Sequence, residues 1–387
     1  MLKQTLTRRA FTTGAAALAA SVPALGLASR FAPGAGAQDK IVVTMVTDTA
    51  GLGDQNFNDL ANAGGTKGAA DFGVDFRVIE STDATAYVPN LTAGAEQGEL
   101  TIGVGFLLTD AITEIGNQFP DKKFLLIDSV SDAPNVESVT FKEQEGAFLA
   151  GVAAGLTTKT NKVGTVGGQK IPPVVKYIVG YEAGVKSVNP DCEVQVGYAD
   201  TFDDPGLGKE LTLAQYNAGA DISFPVAGRT GIGGFEAAKE KGAGFWAIGA
   251  DADQNHLAPG FQLGYARKGV DTAVYKTIGD VVNGTFTPGP QVLGIKEDGV
   301  DYVDPYGVVA PEVMAVVSQY RQAILDGTVV RVRLDKKATS ISLLVVIGIR
   351  EDGQKVLLAV RNMGGETTAP WRAVLDDLVA RQLRRPA

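Results

Sequence analysis

The sequence is short of the residues on which disulfides, metal centres and hydrolytic triads depend. Cys192 is the one cysteine among 387 residues, so the chain cannot form an intramolecular disulfide. His256 is the one histidine, which excludes a metal site with several histidine ligands and argues against a Ser-His-Asp triad. Basic residues are also in deficit, with 35 Lys and Arg against 44 Asp and Glu. An acidic chain is a poor general binder of nucleic acid.

The first 37 residues have the features of an export signal. Arg8 and Arg9 form a twin-arginine pair, and a small-residue apolar run from Ala15 to Ala28 follows them. Ala35-Gly36-Ala37 then matches an A-x-A cleavage pattern. A membrane anchor is the alternative, but the apolar run is short. We therefore expect a twin-arginine signal over residues 1–37, cleavage after about Ala37, and a mature protein that is free in the periplasm.

From residue 38 onward, short apolar runs alternate with helical stretches. Ile41–Val46 is apolar and β-branched, as in a strand buried on both faces, and Asn56–Phe72 reads as a helix. Strands separated by helices of this length specify βαβ units and a parallel sheet. The alternation falls into two series, the second of which begins at Lys162. The sequence therefore predicts an α/β fold with two doubly wound parallel sheets, one in each of two lobes.

Acidic, aromatic and small residues follow the predicted strands in both series. They are Asp48, Asp128, Phe202 with Asp203, Ala227 with Gly228, and Asp251 with Asp253. Loops at the carboxyl ends of parallel strands converge on a crevice, where open α/β sheets bind ligands. Carboxylates there can accept hydrogen bonds from hydroxyls or ring N–H groups, and phenylalanines can stack on a flat ring. For each carboxylate taken alone, a helix cap or a solvated loop remains the alternative.

The glycine-rich loop Ala50-Gly51-Leu52-Gly53-Asp54 lacks the features of a phosphate-binding loop. It has neither the third glycine of a dinucleotide fingerprint nor the Lys-Ser/Thr pair of a P-loop. On its own, the loop is equally compatible with a structural βα turn and with a ligand contact.

Several motifs of the body occur in the order of one known family. They are Asp48-x-x-Gly51-x-x-Asp54-x-x-Phe57-Asn58, Gly167-Gly168-x-x-Ile171-Pro172, Phe202-Asp203-Asp204-Pro205, Tyr216-x-x-Gly219-Ala220-Asp221, Ala227-Gly228-x-x-Gly231 and Ile248-Gly249-x-Asp251-x-Asp253-Gln254. With these motifs the body resembles the basic-membrane-protein family of type I periplasmic binding proteins, which is similar to the purine-nucleoside receptors of ABC importers. The resemblance implies two lobes that close about a hinge, a nucleoside as ligand and a membrane permease as partner. It implies no enzyme activity, no cofactor and a monomer.

The same resemblance assigns eight residues to the ligand. They are Asp48, Phe57, Asn58, Asp128, Phe202, Gly228, Asp251 and Lys268. It implies that Phe57 and Phe202 stack on the two faces of the base, and that Asp128 accepts hydrogen bonds from the base edge. Asp48 and Asn58 would line the first lobe's side of the cleft.

The ribose hydroxyls, by the same resemblance, would be held by Gly228, Asp251 and Lys268. The lysine is assigned from Lys268-Gly269-Val270-Asp271, where the family has a similar Lys-x-Val-Asp. The chain departs from the family at Arg229, where a small residue is usual, and it lacks the family's lipoprotein cysteine. The resemblance implies a first lobe of residues 38–160 plus about 266–286, and a second lobe of 161–265 plus about 287–330.

The chain changes character near residue 330. Residues 331–387 hold 11 Lys and Arg against 6 Asp and Glu, whereas residues 38–330 hold 20 against 38. Two apolar runs, Ser340–Ile349 and Lys355–Arg361, flank an Asp-Gly turn and predict a hairpin, and Trp371–Gln382 reads as a helix. This tail is similar to part of the mutator-family transposases, in segments such as Arg350-Glu351-Asp352-Gly353-Gln354-Lys355. Because that family's first two catalytic aspartates fall outside the matching segment, we expect an accidental fusion without activity.

Three other functions remain open from the residues alone. The same receptor fold could take another small metabolite, the aspartates could serve a nucleoside hydrolase, or the tail could retain DNA binding. The scattering of the aspartates over two lobes argues against the hydrolase, and export argues against DNA binding.

Overall fold

The computed structural model of the chain describes residues 40–327, together with the backbone of residues 343–349 and 355–362. Its strands are β1 Val42–Val46, β2 Asp75–Ile79, β3 Leu100–Val104, β4 Lys123–Ile127, β5 Val136–Phe141, β6 Lys162–Gly167, β7 Glu193–Tyr198, β8 Ile222–Val226, β9 Trp246–Asp251, β10 Gln262–Lys268, β11 Gly289–Leu293, β12 Val300–Val303, β13 Leu343–Ile349 and β14 Lys355–Asn362. Its α-helices are α1 Phe57–Phe72, α2 Tyr87–Gln97, α3 Thr109–Gln118, α4 Glu143–Thr157, α5 Pro172–Val188, α6 Pro205–Asn217, α7 Ile232–Lys241, α8 Val270–Asn283 and α9 Pro311–Leu325. The expected signal over residues 1–37 and the helix expected over Trp371–Gln382 lie outside the described residues.

Two six-stranded sheets form the body, as the alternating pattern predicts. The first has the order β11-β5-β4-β3-β1-β2, and all of its strand pairs are parallel. The second has the order β12-β10-β9-β8-β6-β7, with one antiparallel pair between β10 and β12. In each sheet the chain starts at the strand next to one edge, adds the strand at that edge, and then proceeds to the opposite edge. The prediction of an α/β fold with two doubly wound sheets is confirmed.

The central strands are apolar throughout because helices cover both faces of each sheet. Every residue of β3 and of β8 is buried. The helices α4 and α5 approach each other closely through glycines. A Cβ added at Gly151 would lie 2.1 Å from the Tyr181 carbonyl oxygen, and one at Gly184 would lie 2.0 Å from that of Phe148. The small-residue run of α4 is thus explained by helix packing rather than by function.

The chain passes between the two sheets three times: from β5 to α4, from β10 to α8, and from β11 to β12. Backbone hydrogen bonds join the three connections to one another. Lys142 N donates to the carbonyl oxygen of Leu293 at 2.9 Å, and Gly269 N donates to that of Gly299 at 2.8 Å. Crossing segments of this kind are where the φ/ψ changes of a hinge motion can be absorbed.

Two lobe boundaries differ from those expected from the sequence. Residues 287–330 were assigned to the second lobe, but β11 pairs with β5 in the first sheet. Residues 38–160 were assigned to the first lobe, but α4 packs on α5 and contacts β10 and β12 of the second sheet. The second boundary was misplaced because β5 is difficult to recognise from the sequence: its buried Glu137 interrupts the apolar pattern of the strand. That carboxylate is satisfied inside the lobe by Thr277 and Gln291.

The backbone of the tail forms the predicted hairpin where it is described. Strands β13 and β14 pair in the antiparallel sense, from Leu343 opposite Asn362 to Ile349 opposite Lys355. Across the described residues, no helix combines the length and the apolar character that crossing a bilayer requires.

Candidate functional site

A cavity lies where the carboxyl ends of the two sheets face each other. Its empty space amounts to about 550 Å³ when the part that is open to solvent is included. All eight residues that the sequence assigned to a ligand line it: Asp48, Phe57, Asn58, Asp128, Phe202, Gly228, Asp251 and Lys268. Eleven further residues complete the wall: Ala50, Asp54, Gly105, Phe106, Leu107, Ile171, Pro173, Val174, Tyr177, Val226 and Ala227. Residues far apart in the sequence are thereby brought together at one site.

The loop between β1 and α1 supplies a bonded set of three polar side chains. Asp54 accepts hydrogen bonds from the backbone N–H groups of Asn56, Asn58 and Asp59, and from Asn58 Nδ2. These groups include free donors of the first turn of α1, so Asp54 caps the helix. Asn58 Nδ2 also donates to Asp48 Oδ1 at 2.9 Å. The loop is therefore both a structural turn and one wall of the cavity.

The orientation of the Asn58 amide is fixed by this arrangement. Its nitrogen lies between two carboxylates, and only a donor is compatible with both. Asn58 is fully buried, and its Oδ1 has no hydrogen-bond partner among the described residues. A buried acceptor without a partner is costly, and such atoms in native proteins call for an explanation. This unpaired oxygen belongs to a residue that lines the cavity.

Burial raises the pKa of the first lobe's carboxyls. The pKa of Asp54 rises to about 7, although hydrogen bonds from three backbone N–H groups oppose this. Burial also raises the pKa of Asp48, against the hydrogen bonds from Asn58 and Ala50 N. Hydrogen-bond donors of the protein therefore only partly offset the cost of burying the charges of Asp48 and Asp54.

A buried ion pair joins the two sheets across the cavity. Lys268 Nζ lies 2.6 Å from Asp128 Oδ2, and 3.2 Å from Glu143 Oε1. The three side chains are 2%, 7% and 1% exposed, so all three charges are removed from water. Lys176 binds the other oxygen of Glu143 at 3.1 Å. Because Glu143 and Lys268 border crossing connections, the ion pair lies at the hinge.

The protonation states follow from this cluster. Burial acts to lower the pKa of Lys268, but the carboxylates of Asp128, Glu143 and Asp251 outweigh it and raise that pKa, so the lysine is charged. Burial raises the pKa of Asp128 to about 7, which Lys268 opposes and Glu143 and Asp251 reinforce. Asp128 Oδ1, the oxygen that does not face Lys268, has no partner among the described residues. It is the second unsatisfied acceptor at this cavity.

Two of the aspartates occupy a backbone conformation that few residues adopt. Asp128 has φ of 72° and Asp251 has φ of 65°, both at the ends of strands. Aspartate tolerates the left-handed region better than most residues, but local strain of this kind is concentrated at functional sites. Asp251 is further held by Tyr177, whose hydroxyl donates to Asp251 Oδ1 at 2.7 Å. The strand ends therefore aim both carboxylates at the cavity with little freedom.

The two phenylalanines belong to opposite sides of the cavity. Phe57, the first residue of α1, has its ring centroid 5.0 Å from Lys268 Nζ. Phe202 packs with Ala50, Val174 and Ile178. Close approach to its ring requires glycine at position 168, because a Cβ there would lie 2.3 Å from Phe202 Cε1. Each ring is thus fixed by its surroundings.

Several cavity residues were not anticipated as ligand-facing. Tyr177 and Val174 lie inside α5, where their spacing indicates only an apolar helix face. Asp54 belongs to a quoted motif but was not assigned a role. The signal that could have identified it is the Asp-x-x-x-Asn spacing, because a carboxylate just before a helix is expected to bond the first turn.

Comparison with known proteins agrees with the fold. The family model described as "ABC transporter substrate-binding protein PnrA-like" matches residues 41–330. A second model, described as "Transposase, Mutator family", matches residues 315–385. The two matches overlap in α9 and the residues that follow it.

Curated relatives and solved structures give the same result. The "ABC transporter nucleoside-binding protein BmpA" of Lactococcus lactis is 33% identical over 346 residues, covering 83% of this chain and 98% of the relative. The "CD4+ T-cell-stimulating antigen" of Listeria monocytogenes is 35% identical, over 74% and 87%. A solute-binding protein of an Aeropyrum pernix ABC transporter has a TM-score of 0.71 at 27% identity, over 88% and 98%. This chain therefore belongs to the PnrA-like family of ABC transporter substrate-binding proteins.

Proposed function

We propose that the protein is a periplasmic receptor that binds a nucleoside between its two lobes and delivers it to the permease of an ABC importer. The observation that carries the proposal is the pair of buried acceptors without partners, Asn58 Oδ1 and Asp128 Oδ1, in a cavity with two phenylalanines. N–H groups on the edge of a base would satisfy such acceptors, while its faces would lie against aromatic rings. A purine offers both features.

The charges at the cavity favour an uncharged ligand. Four carboxyl groups line it, from Asp48, Asp54, Asp128 and Asp251, against the single ammonium group of Lys268. A phosphate would be repelled by the carboxylates and would find no glycine-rich loop to bind it. Ribose hydroxyls, in contrast, can donate to Asp251 Oδ2 and accept from Lys268 or from the N–H of Gly228. A nucleoside is therefore favoured over a nucleotide.

The relatives support the remaining parts of this function. The Lactococcus lactis relative is named a nucleoside-binding protein, and a Pyrococcus horikoshii relative, 36% identical, is named a lipoprotein. We propose that this chain acts outside the cytoplasmic membrane, as these names suggest, and that it binds without catalysing a reaction, needs no cofactor and works as a monomer. Residues 1–37 would direct its export, with cleavage after about Ala37.

Calorimetric titration of the purified protein with ribonucleosides, free bases and simple sugars tests the ligand. We expect saturable heat from at least one purine nucleoside, and weaker or no binding of the isolated base and of ribose. Tight binding of a sugar or another metabolite, with no response to any nucleoside, would contradict the assignment and leave the family membership intact. The same titration followed by analysis for free base would detect a hydrolase.

We further infer that residues 331–387 derive from a transposase gene fused by accident to the receptor gene. The match to a transposase model over residues 315–385, the reversal of charge after residue 330, and the coverage of 98% of the Lactococcus lactis relative by 83% of this chain support it. Every cavity residue precedes the tail. Removing residues 331–387 should leave nucleoside affinity unchanged; a loss of binding would show that the tail takes part.

A further inference from the structure

Two polar contacts join the lobes at the rim of the cavity, which we call its mouth. None of the four residues that make them lines the cavity itself. Arg229 Nη2 donates to the carbonyl oxygen of Leu52 at 2.6 Å. His256 Nε2 lies 2.8 Å from Gln55 Oε1 and donates to it in the tautomer that protonates Nε2. Leu52 and Gln55 belong to the loop between β1 and α1, in the first lobe. Arg229 and His256 follow β8 and β9, in the second lobe.

Arg229 is held from both sides of the mouth. Within its own lobe, its Nε lies 3.2 Å from Asp203 Oδ1. In the other lobe, Glu80 Oε2 accepts a hydrogen bond from Leu52 N at 2.8 Å and fixes the loop that presents the Leu52 carbonyl. The carboxylate and the guanidinium both lie close to Gly51, because a Cβ there would be 2.8 Å from Glu80 Oε2 and 3.7 Å from Arg229 Nη2. Opposite charges from the two lobes thus lie near each other at the mouth.

His256 is carried by a loop that side-chain amides make rigid. Ala250 N donates to Gln254 Oε1, and Gln254 N donates to Gln262 Oε1 at 2.8 Å. The same loop begins at Asp251, one of the cavity aspartates, so His256 cannot move independently of that carboxylate. Arg229 is linked in the same way to Gly228, the cavity residue that directly precedes it in the chain. Closure of the lobes, with or without a ligand, therefore brings both rim residues to the opposite lobe together with Asp251 and Gly228.

The geometry points to a two-point latch, in which Arg229 and His256 hold the closed lobes together and slow ligand release without touching the ligand. Both contacts exist only when the lobes are closed, so they stabilise that state relative to the open one. Arg229 supplies a charged donor to a carbonyl, which is the stronger kind of hydrogen bond, and His256 supplies a neutral one. The latch also assigns a role to Arg229, which stands where the resembled family usually has a small residue.

Stopped-flow measurement of ligand release tests the latch, with inosine as the probe, and this arm rests on the proposed function. We expect Arg229→Gln to accelerate release about tenfold and His256→Ala about threefold, with association rates changed much less. In a double-mutant cycle, Gln55→Ala should add nothing to His256→Ala. Arg77→Gln is the matched control, because Arg77 is exposed and pairs with Asp75 within strand β2 of the first lobe. Release rates equal to those of this control would overturn the latch.

Small-angle X-ray scattering of the ligand-free proteins gives a readout that does not depend on the identity of the ligand. The latch predicts a larger radius of gyration for the Arg229→Gln/His256→Ala double variant than for the unaltered protein or Arg77→Gln. Unaltered thermal melting of the double variant would show that the lobes remain folded. If inosine fails to bind even the unaltered protein, the nucleoside assignment fails, and the scattering result alone decides the latch. Identical radii would then overturn it.

Discussion

The two sides of the cleft offer a ligand different chemistry. On the first lobe, Asp48, Asp54 and Asn58 form one bonded set that leaves an amide oxygen unsatisfied. On the second lobe, the cavity is lined mainly by apolar residues, which come from two segments of the chain, Ile171–Tyr177 and Phe202–Gly228. Its polar groups, Asp251 and Lys268, are already bound by Tyr177 and by Asp128 with Glu143.

This difference suggests a division of roles between the lobes. An acceptor that its own lobe orients and leaves unpaired can select the edge of a ligand before closure. An apolar wall cannot select an edge, but it excludes water and covers the ligand's face when the lobes close. We therefore expect the first lobe to recognise the base and the second lobe to enclose it. The substitutions below are ordered by the size of the expected effect.

The largest effect is expected from Lys268→Met, which removes the cation that the two lobes share. Asp128 would then be buried without a counter-charge, while Glu143 would keep only Lys176, and the free energy of unfolding should fall by about 3–5 kcal/mol. Urea denaturation at neutral pH measures the change. Lys276→Met is the matched control, because Lys276 is 60% exposed and pairs with Asp280 on the surface. Its effect should stay within about 0.5 kcal/mol; equal effects of the two substitutions would contradict a buried ion pair.

A smaller loss of stability is expected from Asn58→Ala, which breaks the bonded set of the first lobe. Asp48 and Asp54 would each lose a donor, at a cost of about 1–3 kcal/mol in the free energy of unfolding. Asn117→Ala serves as the comparison, since Asn117 is exposed and bonds only the Thr113 carbonyl within its own helix. If both asparagines prove equally dispensable, the first lobe's acceptors are not held as described.

The phenylalanines test whether both lobes contribute a face to the ligand. Phe57→Ala and Phe202→Ala should each weaken nucleoside binding by about 1–3 kcal/mol, because stacking on a base is lost. Calorimetric titration of the variants gives these values directly, and Phe286→Ala, which alters a partly buried ring outside the cavity, should leave affinity unchanged. Loss of binding on only one side would mean that the ligand is covered by a single lobe.

The pH dependence of affinity tests the role of Asp128. Its pKa of about 7 reflects burial, opposed by Lys268 and reinforced by Glu143 and Asp251. Protonation competes with donors from the ligand, so affinity should be constant well above pH 7 and fall by at most tenfold for each pH unit below it. Asp128→Asn should bind more weakly and lose this dependence. An unchanged slope in that variant would assign the titration to another group.

The sequence specified the fold largely because both sheets obey simple patterns. The apolar, β-branched run Ile41–Val46 contains the observed strand Val42–Val46, and carboxylates that follow the strands do meet at one cavity. Strand β5 was missed because Glu137 interrupts its apolar run, and only tertiary contacts with Thr277 and Gln291 satisfy that carboxylate. Long-range pairing of this kind leaves no local signal in the sequence.

The site could likewise be predicted only in part, because some of its contacts are long-range. Residues at strand ends could be identified from position alone, whereas Tyr177 lies within a helix, and nothing in its neighbours indicates a bond to Asp251. The ion pair between Asp128 and Lys268 joins residues 140 positions apart, so its existence depends on how the lobes close. The eight assigned residues were found together because a family resemblance supplied what position could not.

The most direct test of the account is a calorimetric comparison of inosine with inosine 5′-monophosphate on the unaltered protein. The two ligands share the base and the ribose and differ by the phosphate, which the carboxylates of the cavity should repel. The account predicts saturable binding of the nucleoside and no detectable binding of the nucleotide. Equal binding of both, or binding of the nucleotide alone, would contradict it.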